Sequence, residues 1–330
     1  MTPRWGVARL VAMKLLRMLG VLFVVSVLCF FSLNLLPGNP AQAILGVAGS
    51  SPQAVHALDI KLGLNHPLFH RFVTWLWNVL RGNLGDSYQS GLPVATIIGR
   101  DAPVTLELII ISQILALAAA VPTAIIAAAK RGSSTDRSIS VCVFAVLSTP
   151  NFVAGFILIW IFAILLGVLP ANGYTSLGAG LGPNLQSILL PSLCLAAAPF
   201  ALYQRVLRAD LVETYGTEFM AVARAKGISP ARAALRHALR PSLLGLTTSV
   251  GAMLGTLLGA AVIIETLFAL PGLGAELVNA VSNRDYVEVQ GIVLVMAAFF
   301  VVVNTLVDIS YTLIDPRLRS ARTRLVGSPA

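Results

Sequence analysis

The stretch ARAKGISPARAALRHALRP, residues 223–241, gathers five basic side chains and no acidic one around a single glycine and a Ser-Pro step. Gly227 is suited to the left-handed conformation that ends a helix. Ser229 followed by Pro230 is typical of a helix start, because serine caps and proline fits the first turn. The stretch therefore predicts two short helices, over about 217–226 and from Pro230 onward, joined by an elbow at Gly227.

The second of these helices is amphipathic. At helical spacing it separates an apolar face from a basic face, and the members are Ala231, Ala234, Leu235 and Ala238 on one side and Arg232, Arg236 and Arg240 on the other. A helix of this kind is suited to lie against another surface. Lipid headgroups, a cytoplasmic protein partner, or solvent alone are the three occupants that the pattern allows.

Composition places this stretch in a membrane protein. Of the 330 residues 57% are hydrophobic and only 11% are charged, far fewer charges than in soluble domains. The net charge of +9 is explained by basic loops that set membrane orientation, so a nucleic-acid partner is not expected. The cysteines, Cys29, Cys142 and Cys194, lie in apolar runs without CxxC spacing and indicate neither a disulfide framework nor a metal site.

Apolar runs along the chain predict an all-α membrane protein with six transmembrane helices. Each run is close to or above the ~20 residues that a helix needs to cross a bilayer. The runs cover approximately residues 18–36, 103–129, 139–169, 188–207, 243–270 and 291–314. The third run is long and contains Pro150, so either a kink or a short end that does not span the membrane is expected there.

The basic residues predict the orientation. With the N-terminus inside, 18 of the 23 basic residues lie on the inner side, and the outer side holds only Lys61, Arg71, Arg81, Arg100 and Arg284. Both termini and the elbow are therefore expected in the cytoplasm. The sequence Ala41-Gln42-Ala43 imitates a signal cleavage site, but the preceding apolar run is longer than a signal core, so we expect the first helix to be retained.

The outer loop after the first helix is long and patterned. Ser51-Pro52 can open a helix, and residues 67–80 form an amphipathic piece rich in Phe and Trp, side chains that suit the membrane boundary. We expect a small folded element here. The predicted parts are residues 1–36 (tail and first helix), 37–102 (outer loop), 103–316 (core with five helices and the coupling loop 215–241) and 317–330 (tail).

The elbow resembles the cytoplasmic "EAA" loop of ABC-importer permeases. The matching stretch reads Glu218-Phe-Met-Ala221-Val-Ala223-Arg-Ala225-Lys-Gly227. Phe and Met stand where the general pattern has two alanines, a position at which the peptide-type branch usually varies. Further stretches match the first permease subunit of the dipeptide/oligopeptide/nickel type: LPGNP (36–40), GNLGDS (82–87), GVLPANGY (167–174), ETLFALPGLG (265–274), NRDY (283–286), QG (290–291) and LIDPR (313–317).

This resemblance, which runs from about residue 16 to residue 319, implies an ABC type I importer permease fold. It implies a heterodimer with a second homologous permease, two cytoplasmic ATPase subunits, and an external substrate-binding protein. The elbow is then the ATPase-coupling element, carried by Glu218, Ala221, Ala225, Gly227, Ala231, Ala234 and Leu235. The chain has no G-x-x-x-x-G-K-[ST] motif, so ATP hydrolysis is expected from separate subunits, with no catalytic residue, cofactor or metal on this chain.

Other polar residues in or beside the apolar runs give weaker signals. Glu107, Glu265 and Asp308 are candidates for a pathway role, Glu265 first among them, but each lies near a predicted helix end where it can snorkel to water. His56, His66 and His70 are spread along the outer loop and are interpreted as surface residues rather than metal ligands.

The cargo class expected from the resemblance is a peptide, with a nickel complex or glutathione as alternatives for the same machinery. A stand-alone secondary transporter or channel competes with this interpretation, but neither an internal repeat nor charged mid-helix residues are evident. An intramembrane enzyme is disfavoured because nothing groups Ser, His and Asp into a nucleophilic site. The expected location is the inner membrane of a bacterial cell, in contact with lipid.

Overall fold

The structure, a computed structural model, describes residues 4–34, 41–42, 45, 51–61, 63–229 and 232–314. The stretches LPGNP and LIDPR, the residues Pro230 and Ala231, and the C-terminal tail lie wholly or mainly outside the described residues, so the predictions that concern them are not taken further. Within the described part the secondary structure is helical, with one isolated β-bridge between Asp86 and Pro93.

Five helices of the described chain are long and apolar enough to cross a membrane. They are α1 (Arg4–Asn34), α4 (Val94–Ala129), α7 (Leu181–Tyr215), α9 (Leu239–Phe268) and α11 (Tyr286–Ile314). In α1 and α11 the candidate spans are Ala12–Ser32 and Tyr286–Val307. Shorter helices complete the order: α2 (Pro52–Lys61), α3 (Leu68–Leu80), α5 (Ser134–Ser148), α6 (Asn151–Leu158), α8 (Glu218–Ala225) and α10 (Leu273–Ser282).

The third predicted run is broken into two helices, which count as one further span only if they are taken together. The helix α5 ends at Ser148, and α6 begins after Pro150 and continues as a π-helical turn to Leu165, so that the two pieces meet at 106°. Proline cannot supply the backbone N–H that a continuous helix needs at this point. The predicted kink at Pro150 is therefore confirmed, and the chain bends by more than a right angle.

The chain divides into two compact units, residues 1–104 with 271–309 and residues 105–270 with 310–330. In the first unit, α1 packs on the amphipathic helix α3 through Phe30, Phe72 and Trp75, whose rings lie 5.4 to 6.1 Å apart. A second cluster joins the start of α4 to α10 and α11 through Val94, Ile98, Leu273 and Ile292. The helices predicted at Ser51-Pro52 and at residues 67–80 of the outer loop are thus both present.

The second unit has its core between α4, α7 and α9. This core combines small and large side chains, because Ala116, Ala120 and Ala124 of α4 belong to the same buried cluster as Tyr203. Such alanines allow close helix approach, which suits membrane helices that gain little from the hydrophobic effect. The helix α6 lies close to α9 at Gly155, where a Cβ atom would come within 2.5 Å of Leu267.

Candidate functional site

The elbow forms at Gly227. The helix α8 stops at Ala225, and Gly227 adopts φ +73°, the left-handed conformation expected for a residue that ends a helix. An added Cβ would meet no atom within 4 Å, so backbone conformation, not crowding, is what favours glycine there. The prediction of a helix that ends at a left-handed Gly227 is confirmed.

The other half of the elbow differs from the expected separate helix. From Arg232 the chain runs as a π-helical turn, Ala233–Ala238, straight into α9. The amide of Ala233 donates to the carbonyl of Ser229 at 2.9 Å. Arg232 and the turn therefore extend the N-terminal end of α9.

Burial separates the predicted coupling residues into two groups. Glu218, Ala221, Ala225, Gly227 and Leu235 are exposed, whereas Ala234 is buried with 4% of its surface accessible. We expected the alanine face to dock on a partner, and for Ala234 and Ala238 the structure corrects this expectation. Ala234 lies in the chain's own interior, as do Ala233 and Ala238, because their small side chains let the turn lie close against the core around α7.

An exposed apolar surface takes the place of that face. Phe219 and Val222, at i and i+3 on α8, are 57% and 52% exposed, and Leu235 is 58% exposed. The opposite side of α8 is anchored by Met220 and Ala223, which are buried. We call Phe219, Val222 and Leu235 the elbow patch. Phe219 and Val222 are not among the coupling residues predicted from the sequence, although their i, i+3 spacing close to Gly227 was a usable signal.

Two of the sequence motifs meet in the first unit. Ser87 of GNLGDS donates its hydroxyl proton to a carboxylate oxygen of Asp285 of NRDY at 2.8 Å, and the amide of Gln89 donates to the same oxygen at 3.0 Å. The other carboxylate oxygen accepts from the amide of Glu288 at 3.1 Å. Ser87 and Asp285 are 3% and 1% exposed. A buried carboxylate with three donors is well satisfied and orders both loops.

Two further motifs meet in the second unit. The amide of Gly173, in GVLPANGY, donates to the carbonyl of Phe268, in ETLFALPGLG, at 2.9 Å. The next residue, Ala269, ends α9 in the left-handed conformation with φ +51°, which is uncommon for a residue with a Cβ. The hydrogen bond between these two motifs therefore lies at the C-terminal end of α9, where the chain turns.

Two acidic residues of the second unit, Glu265 and Glu107, accept hydrogen bonds from hydroxyl groups. Glu265 is fully buried and accepts a hydrogen bond of 2.6 Å from the Thr105 hydroxyl, joining α9 to α4. It does not snorkel to water as expected, because its side chain turns inward to this partner. Glu107 accepts from the Tyr174 hydroxyl at 2.6 Å. Burial, and then that hydrogen bond, raise the pKa of Tyr174 to about 12, which keeps it a neutral donor.

One ion pair was not foreseen from the sequence. Arg208 of α7 makes two hydrogen bonds of 2.8 Å to the two carboxylate oxygens of Asp136 of α5. Asp136 also accepts from the amide of Gly132 at 3.0 Å, and Ser133 caps the same helix. The bidentate geometry ties the 130–134 turn to α7. No local spacing links residues 72 positions apart, so no sequence signal could have found this pair.

Comparison with known proteins matches almost the whole chain. Residues 120–320 match the family described as binding-protein-dependent transport system inner membrane component, and residues 7–109 match the N-terminal region described for membrane components of such systems. A protein of Sinorhizobium fredii named a probable peptide ABC transporter permease is 36% identical over 306 residues, which is 93% of this chain and 97% of that relative. A glutathione transport system permease protein of Escherichia coli is 37% identical over 306 residues, with the same coverage of each chain.

These matches confirm the resemblance found in the sequence and the multi-pass membrane architecture. They also identify the chain as a transport subunit. The two matched regions, residues 7–109 and 120–320, together include the elbow, the broken third span and the paired motifs. The chain belongs to the family of inner membrane components of binding-protein-dependent transport systems.

Proposed function

We propose that this chain is the permease subunit of an ATP-driven importer for small peptides. It lines a pathway together with a second, homologous permease, receives cargo from an external binding protein, and works with two cytoplasmic ATPase subunits. The chain itself needs no cofactor in this account, since it carries no phosphate-binding G-x-x-x-x-G-K-[ST] motif.

The elbow patch is the observation that carries this proposal. Three large apolar side chains, Phe219, Val222 and Leu235, are exposed beside Gly227 and next to the exposed basic residues Lys226 and Arg232. An apolar patch with a basic rim is typical of a surface that another protein covers. Because Arg232 continues into α9, a partner that moves the patch moves a membrane helix with it.

The cargo class is supported by the relatives. Their names refer to peptide and to glutathione transport, and glutathione is itself a short peptide, so both names share one ligand chemistry. A nickel complex is the alternative cargo for the same machinery. Glu265 remains our candidate for the pathway, although in this structure its carboxylate is buried against Thr105; contact with cargo would require it to leave that partner.

The location proposed is the bacterial inner membrane, with both termini in the cytoplasm. The support is the placement of 18 of 23 basic residues on one side of the predicted topology. The elbow then faces the compartment that contains ATP.

Co-purification with the ATPase subunits tests the coupling role. Val222→Asp places a charge in the elbow patch, and Val281→Asp is a matched control, since the two valines are 52% and 56% exposed. We expect Val222→Asp to lose the ATPase subunits while Val281→Asp retains them, because burying an unpaired carboxylate is costly. If both variants retain the ATPases, the elbow patch contacts lipid headgroups instead of a protein.

A further inference from the structure

Two histidines of the outer loop lie side by side. His66 precedes α3, and His70 lies in its first turn, four positions later. Their ring centroids are 5.2 Å apart, with the ring planes at 41°. His56, in the preceding helix α2, is exposed like the other two, but has no such ring contact among the described side chains. The sequence does not distinguish the three histidines, whereas the structure pairs two of them.

The separation fits two imidazoles that share one metal ion. A ring nitrogen binds Zn²⁺ at about 2.0–2.1 Å, which places the centres of two rings on a tetrahedral ion about 5 Å apart. His66 lies two positions before the first residue of α3 and His70 is the third residue of that helix, and the chain entering the helix brings the two rings together. Because both side chains are exposed, an ion can reach them directly from solvent.

The geometry points to a divalent transition-metal site formed by His66 and His70. Imidazole nitrogen is a ligand for Cu²⁺, Ni²⁺ and Zn²⁺, whereas Ca²⁺ and Mg²⁺ require oxygen ligands. The described residues contain no group of three or more His, Cys, Asp or Glu side chains that could surround an ion. The two imidazoles therefore fill two positions, and water fills the others.

Binding has a structural consequence at the start of α3. Pro67, at the N-cap position, offers no side-chain hydrogen bond to the first turn. An ion held by His66 and His70 links the residue before the helix to a residue within it, and this link stabilises the first turn. The site thus couples metal binding to the order of the helix that packs on α1 through Phe72 and Trp75.

The test uses the full-length protein in detergent, purified through a tag that contains no histidine. Calorimetric titration with CuCl₂, NiCl₂ and ZnCl₂ is expected to show one ion per chain, with Cu²⁺ bound most tightly. We expect His66→Ala and His70→Ala each to weaken Cu²⁺ binding at least tenfold, with His56→Ala within twofold of the unmodified protein. Electron paramagnetic resonance should show two nitrogen ligands, reduced to one in either single variant.

Hydrogen exchange supplies the second readout. Saturating Zn²⁺ should slow exchange at the first turn of α3 by at least threefold in the unmodified protein and in His56→Ala, and should leave the His66→Ala/His70→Ala double variant unchanged. The inference is overturned if the double variant retains Cu²⁺ affinity within twofold. It is equally overturned if His56→Ala weakens binding as much as His66→Ala does, since the metal would then bind histidines without regard to the pair.

Discussion

The Ser87 hydroxyl donates a hydrogen bond of 2.8 Å to the Asp285 carboxylate across 198 positions of sequence. Both side chains are buried, and each belongs to a short motif that carries no recognisable catalytic chemistry. The bond gives a structural role to the serine of GNLGDS and the aspartate of NRDY. A carboxylate in the interior must be fully hydrogen-bonded, and Ser87, Gln89 and Glu288 supply its three donors.

Removal of this carboxylate should destabilise the first unit. We expect Asp285→Ala to lower the free energy of unfolding by about 1–3 kcal/mol, because the buried Ser87 hydroxyl and the buried Glu288 amide both lose their acceptor. Asp86→Ala is the matched control, since Asp86 lies beside Ser87 but is exposed. Thermal unfolding of the purified variants measures the difference. Equal melting temperatures for the two variants would show that the network does not contribute to stability.

The Arg208–Asp136 pair should behave as a coupled unit. With side chains 30% and 8% exposed, it lies between surface and interior, and its bidentate geometry predicts a coupling free energy of about 1–3 kcal/mol. A double-mutant cycle with Asp136→Asn and Arg208→Gln, followed by denaturant unfolding, gives this value directly. A coupling near zero would mean that solvent screens the pair as it does on an exposed surface.

Substitutions at Gly227 should follow backbone preference rather than side-chain size. Because a Cβ there meets no neighbouring atom, the cost arises from φ +73°, about 1–2 kcal/mol for an ordinary residue. We expect ATPase stimulation by cargo to decrease in the order Gly, Asn, Ala, Val, since Asn tolerates the left-handed region.

Gly99→Ala is the control for this series, because Gly99 also has open space around its Cβ position but no positive φ. It should leave stimulation unchanged. If Gly227→Asn is as impaired as Gly227→Val, the left-handed conformation is not what the elbow requires.

The topology can be checked with two serine-to-cysteine variants in a background where Cys142, which is exposed, is replaced by serine. Ser90 and Ser229 are both exposed, on opposite sides of the predicted membrane. An impermeant maleimide added to intact cells should label Ser90→Cys and spare Ser229→Cys. The reverse pattern would contradict the orientation derived from the basic residues.

Sequence patterns predicted those features that depend on local chemistry. The apolar runs located the membrane helices, Pro150 located the break in the third span, and Gly227 located the end of α8. These properties follow from residues a few positions apart, and propensity and backbone restriction act over that range.

Features that depend on contacts distant in sequence were missed or misjudged. Ala234 has the spacing of a docking face, but it is buried within the chain. Glu265 lies near a helix end, where snorkelling was expected, yet Thr105 of another helix offers it a partner. Helix packing decides whether such a residue faces another helix or the surroundings, and a single sequence does not reveal that packing.

Uptake into proteoliposomes distinguishes ATP-driven import from passive passage of the peptide. Vesicles with ATP enclosed, the two permeases and two ATPases in the membrane, and the binding protein outside are given a radiolabelled short peptide. We predict accumulation above the external concentration that requires ATP and the ATPases. This accumulation should be lost in Phe219→Asp/Val222→Asp and retained in Val281→Asp. Equilibration of the peptide through this chain alone, without ATP or partners, would contradict the account and identify a channel or secondary transporter.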